Sequence, residues 1–213
     1  MHVFLNKRFI PLLSSHFLSS INDAFMRTLF LFYATYNLTQ ESAGFVASGV
    51  IFYATAFCVG STIAGQVADK ISKKKFLMLF RMIEMVALVL TLGGVSLDSR
   101  WVLLAIMGGL GFIGACLRVA DYSLMPSLIG ERDLVKANAL IKSASFIGLG
   151  LSTLMVMLIV KYGVPGAYVC LGAVGLSMLS LGLTYALPEQ KAADPETQVV
   201  KNPIHVFDFI SQN

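Results

Sequence analysis

An all-α membrane protein is the fold class this sequence predicts: six transmembrane helices with both termini cytoplasmic. Three observations predict it. Of the 213 residues, 56% are hydrophobic and 13% charged, and the mean hydropathy is +0.76, well outside the balance of a soluble domain. The apolar residues gather in runs of about 20 or more, the length that crosses a hydrocarbon core roughly 30 Å thick. Lys and Arg collect on one side of those runs, as insertion in the cytoplasmic-positive sense requires. The same figures exclude disorder and collagen, and three cysteines exclude a disulfide scaffold. A β-barrel needs alternating polarity, which is lacking.

The spans are predicted near 10–36, 44–68, 76–97, 101–125, 138–160 and 166–187. The first follows Lys7 and Arg8 as a signal peptide would, but it is too long for one and further spans follow, so it is expected to stay. The second is uncharged, the third contains Arg81 and Glu84, and the fourth closes on Arg118 and Asp121. Lys142 lies about one turn into the fifth, close enough to an edge to snorkel, and the sixth is uncharged up to Pro188. Residues 1–187 thus form one six-helix unit. From 188 to 213 the composition turns polar and then hints at an amphipathic helix at Val206, Phe207, Phe209 and Ile210. This stretch is expected to be a cytoplasmic connector, the start of a central loop in a longer protein.

Ten basic residues fall on one side of the membrane: Lys7, Arg8, Lys70, Lys73, Lys74, Lys75, Arg132, Lys136, Lys191 and Lys201. Two, Arg100 and Lys161, fall on the other. The net charge of +4 and pI near 9.0 therefore point to a lipid surface and not to nucleic acid. Cys58, Cys116 and Cys170 sit singly in separate spans without His at ligand spacing, so no metal or disulfide is expected. A nucleophile elbow and a phosphate loop are also missing, so neither an enzyme nor a bound cofactor is predicted.

The charges inside the first span demand a reason, because each ionised side chain at mid-membrane costs about 2.5–3.5 kcal/mol on insertion scales. At about 100° per residue, Ser15, His16, Ser19, Ser20, Asn22, Asp23 and Arg27 share one arc, opposite Phe17, Leu18, Ile21, Ala24 and Phe25. Asp23 and Arg27 stand four apart, acid first, and can pair. Two readings follow, a structural ion pair or the lining of a substrate or ion path. The stripe is longer than one pair needs, which favours the path, with His16 and Ser19 beside Asn22, Asp23 and Arg27. Arg81 is near enough to the cytoplasmic end to snorkel while Glu84 shares its face.

The segment between the second and third spans reads Gly65, Gln66, Val67, Ala68, Asp69, Lys70, Ile71, Ser72, Lys73, Lys74. It resembles the signature of the major facilitator superfamily, a Gly and an Asp four residues on, then basic, any, Gly, basic, basic, with Ser72 here in place of the second Gly. The resemblance implies the N-terminal half of a twelve-helix transporter. Its partner would be a C-terminal six-helix half, on the same chain, on another chain or in a homodimer. In that family the signature Asp and the basic residue four later form a cytoplasmic latch with an acid at the end of helix four. By position Asp69, Lys73 and Asp121 take those places, with Gly65, Lys70, Lys74 and Arg118 around them. Lys74 and Lys75 are also expected to rest on anionic lipid.

Phe17 to Arg27, FLSSINDAFMR, and Tyr122 to Ser145, YSLMPSLIGERDLVKANALIKSAS, are similar to the lysophospholipid transporter branch. That branch has an acidic residue with a neighbouring Asn in helix one and a Leu-Val-x-x-Asn-Ala-Leu stretch entering helix five, matched by Asp23 with Asn22 and by Leu134 to Leu140. Here the Asn precedes the Asp and Ala24 follows it. The resemblance implies lysophospholipid translocation across a bacterial inner membrane for reacylation, with acyltransferase or acyl-ACP synthetase domains as expected partners. Proton-coupled efflux of an amphipathic molecule is the competing expectation; the fifth span, reading Gly148, Leu149, Gly150, Leu151, Ser152, lacks the proline typical of such antiporters. A truncated half that transports nothing is the third.

Overall fold

A computed structural model describes residues 8–37, 42–68, 71–96, 100–130 and 133–188. They form six helices: α1 (Ile10–Asn37), α2 (Ser42–Ala68), α3 (Lys73–Ser96), α4 (Arg100–Leu128), α5 (Leu134–Tyr162) and α6 (Gly166–Tyr185). Each covers an apolar run anticipated above. The largest differences are at the starts of α3 and α5, which begin three and four residues earlier than the runs at 76 and 138, and at the end of α4, which runs three residues past 125. Hydropathy marks the part of a helix suited to lipid, while backbone hydrogen bonding continues into the polar flank. Asp133 and Lys136 pair at 3.0 Å across the first turn of α5. The connector from 189 onward, and Asp69 and Lys70 of the signature, lie outside the described residues.

α2, α4, α5 and α6 are each long and apolar enough to cross a membrane. α1 and α3 are less apolar: Asp23 and Arg27 lie in one, Lys73 to Lys75, Arg81 and Glu84 in the other. α4 packs along α2, α1 along α5, and α6 against both α1 and α3, which in turn leans on α4. α1 and α4 face each other across a polar crevice. Below it, towards the end bearing Lys73, Leu12, Leu77, Leu117, Leu124 and Ile141 form the main apolar core. Above it are two smaller clusters, around Phe25 and Leu88 and around Phe30 and Leu104. Much of the apolar face of α1 is buried as well: Ile21, Ala24 and Phe25 are almost wholly covered, while Phe17 and Leu18 are half-buried. The outward faces of α2 and α5 carry exposed Ile51, Val59, Phe146 and Leu154, the surface expected against lipid.

Two glycines are required by the geometry. Gly163 ends α5 at φ 61°, its N–H bonded to Val160 O, while Val164 N–H reaches Ile159 O; this left-handed cap turns the chain towards α6. Gly111 lets α4 touch the backbone of α2, since a Cβ there would stand 2.5 Å from Tyr53 O and 3.1 Å from Tyr53 Cα. Gly111→Ala is therefore expected to lower stability by about 1–3 kcal/mol, read as thermal unfolding in detergent. Gly109→Ala, which meets open space, should not destabilise.

Candidate functional site

The polar residues of α1 point to different helices. Ser15 binds α6, with its Oγ 3.1 Å from Ser180 Oγ and 2.9 Å from Thr184 Oγ1. His16 lies between α4 and α5: Nδ1 is 2.7 Å from Asp121 Oδ2 and Nε2 is 2.9 Å from Ser145 Oγ. Asp23 meets α2 and α4. It accepts from Tyr53 Oη at 2.9 and 3.2 Å, and its Oδ2 lies 3.3 Å from Arg27 Nη2 and 3.4 Å from Arg118 Nη2. Arg27 also stacks over the Tyr53 ring at 5.0 Å. The expected Asp23–Arg27 pair is present, within a larger set that neither the stripe nor the spacing disclosed.

Arg81 does not snorkel. Its side chain is fully buried, with Nη1 3.5 Å from Glu84 Oε2 and Nη2 3.8 Å from Asp121 Oδ2. Nη2 also donates weakly to Ser15 O and Oγ at 3.4 and 3.3 Å. The carboxylates inside the bundle offer it more than the membrane edge does, and Ser177 Oγ donates to Glu84 at 3.2 Å. Arg118 and Asp121, three apart on α4, turn to Asp23 and to His16. Three cations, Arg27, Arg81 and Arg118, thus meet three carboxylates, Asp23, Glu84 and Asp121, which offsets the desolvation of each.

The His16 contacts allow two proton arrangements. Nδ1–H donates to Asp121 in both. Ser145 Oγ–H can donate to Nε2, leaving the ring neutral, or to Ile141 O at 3.1 Å, in which case Nε2 also carries a proton and donates to Ser145. This order of Ser, His and Asp matches a hydrolytic triad, but all three sit inside helices whose backbone N–H groups are already bonded, so nothing on those helices offers an oxyanion site. Asn22 Oδ1 and Asp121 Oδ1 are buried without a hydrogen-bond partner among the described residues. Both residues, with Ser19, line the crevice, whose volume of about 20 Å³ is room for about a single water.

At the opposite, lysine-bearing end, Lys73 donates to Ser123 O at 3.0 Å, so the structure gives Asp121 to His16 and not to Lys73. Lys74 donates to Tyr185 O at 2.8 Å and to Leu187 O. These are carbonyls at a helix end that its own ladder leaves unsatisfied, a place that favours a cation. Lys74 therefore caps α6, while Lys75 stays exposed. Gly65 meets open space, and Lys142 is exposed, as snorkelling requires.

Long apolar helices enclosing a paired charge cluster define an integral, multi-pass membrane protein. The chain belongs to the Major Facilitator Superfamily, whose family model matches residues 12–211, and it is therefore a membrane transporter. Comparison with curated proteins returns no match.

Proposed function

We propose that the chain translocates lysophospholipid across the bacterial inner membrane for reacylation, as a six-helix half working against a second such half. In this reading all six helices span, both termini are cytoplasmic, and the charges of α1 and α3 face inward. The supporting observation is the state of the Asp23 cluster. The side chains of Arg27 and Arg118 are 36% and 28% exposed while paired to Asp23, itself 10% exposed. Guanidinium groups at this depth do not face hydrocarbon, so an aqueous path or a second unit must cover them. Two cations around one carboxylate suit a headgroup that carries a phosphate and an ammonium: the phosphate can exchange onto Arg27 and Arg118, and the ammonium onto Asp23. Asn22, Ser19 and His16 continue that path. Gly65, Lys73 and Lys74, at the lysine-bearing end, are the gate, together with Asp69 and Lys70 of the signature, which lie outside the described residues.

The test is uptake of fluorescent lysophosphatidylethanolamine into vesicles carrying the full-length protein, against an amphipathic cation in parallel. Lysolipid movement above protein-free vesicles is expected. The two proton arrangements of His16 favour one second reading, proton-coupled efflux. Cation transport with proton release and no lysolipid movement would establish it.

A further inference from the structure

Above the polar crevice lies a second, partly open cavity, of about 320 Å³, bordered by α1, α3, α4, α5 and α6. Met26 and Leu110 belong to the walls of both. From that floor the cavity runs past Met107 and Val169 to Tyr33 and Gly166, at the end of the bundle opposite Lys73. Its lining is apolar almost throughout. Thr91, one of its few hydroxyl-bearing residues, spends that hydroxyl on Ala87 O at 2.8 Å. A partly open pocket of this size with an apolar lining suits an apolar occupant.

We infer that this cavity is a binding pocket for one hydrocarbon chain of a single-chain amphiphile, threaded with its methyl end towards Met26 and Leu110 and its polar end at the mouth by Tyr33 and Gly166. The inference deepens the lysophospholipid reading and rests on it for the headgroup. Two volumes decide the chain's direction and number. The crevice beyond the floor, at about 20 Å³, excludes any headgroup in this conformation, so the polar end must stay at the mouth. An apolar cavity of about 150 Å³ takes one benzene; by the same packing, 320 Å³ takes roughly a dozen carbons. That holds most of one acyl chain and leaves no space for a second, so the pocket selects lysolipid over diacyl lipid by volume. The headgroup then follows the chain's direction to Asp23 only when α1 and α4 part.

The test uses full-length protein in phosphatidylglycerol nanodiscs and lysophosphatidylethanolamine carrying a diazirine at the terminal carbon of its chain. After irradiation, peptide mass spectrometry locates the adduct. Label on Met26, Leu110 and Met107 is expected, displaced by unlabelled lysophosphatidylethanolamine and not by the diacyl lipid. Filling the void with Val169→Phe or, independently, Ile106→Phe should cut that labelling. Each methylene expelled costs about fourfold in affinity, so two cost roughly fifteenfold. Label confined to outward residues such as Phe146, Leu154 and Leu179, or to the mouth, overturns the pocket even if the lipid is transported, and leaves the transport reading intact. A lysolipid that is neither labelled onto the protein nor moved by it overturns both. The wild-type label map decides the matter without either variant having to fold.

Discussion

Arg81→Met is expected to destabilise the bundle by about 3–5 kcal/mol, the cost of leaving buried carboxylates without their counter-charge. Arg81 is completely covered, and it stands between Glu84 at 3.5 Å and Asp121 at 3.8 Å. Methionine fills similar space but returns neither contact, so two acids are left in the interior with only His16 and Ser177 beside them. The stability is read by denaturant titration in detergent micelles. The compensated variant Arg81→Met with Glu84→Gln and Asp121→Asn should recover much of the loss, because it removes the unpaired charges. Equal stability of Arg81→Met and wild type would mean that the guanidinium lies at the membrane edge, as its position in the sequence suggests. The same substitution at Lys142, which is exposed, is expected to change stability little.

Asp23→Asn carries the second large effect, on transport and not on folding. The amide keeps the shape of the side chain and can keep the contact with Tyr53 Oη, now at 2.9 Å. Arg27 and Arg118 lose the charge they share at 3.3 and 3.4 Å. In the proposed binding mode the substrate ammonium loses its carboxylate partner, which costs about 2 kcal/mol, or roughly 30-fold, and lysolipid translocation should fall by about that factor, while the partial exposure of Arg27 and Arg118 keeps the loss of thermal stability small. Tyr53→Phe removes a single hydrogen bond, worth about 0.5–1.5 kcal/mol net, and should give a several-fold defect. An Asp23→Asn protein that transports at the wild-type rate would reduce the pair to a structural brace.

The six helices were legible because lipid imposes a length and a polarity that no other solvent does, and each run from 10–36 to 166–187 lies on a helix. The face of α1 was legible for a similar reason: seven polar residues recur within one arc. What periodicity could not supply is which helix a side chain meets. His16 finds Asp121 at a separation of 105 residues and Ser145 at 129, and Tyr53, the phenol that holds Asp23, looked like one more aromatic in an uncharged helix. Arg81 shares the face of Glu84 as its spacing suggests, but it is drawn inward to buried carboxylates and not to the membrane edge, and the carbonyls at the end of α6 that hold Lys74 have no signal in the sequence. Of the latch expected among Asp69, Lys73 and Asp121, Asp69 lies outside the described residues, while Lys73 donates to Ser123 O and Asp121 pairs with His16.

The most direct measurement of the central claim, that the Asp23 cluster lines a substrate path, is the chemical accessibility of position 118. In a background with Cys58, Cys116 and Cys170 replaced by Ala, Arg118→Cys is exposed to a membrane-impermeant, charged methanethiosulfonate reagent with and without lysophosphatidylethanolamine. The account predicts that the thiol reacts, that lysolipid slows the reaction, and that a cysteine at Phe146 on the outward face of α5 does neither. A thiol at 118 that stays unreactive, or that reacts at a rate lysolipid does not alter, would contradict it.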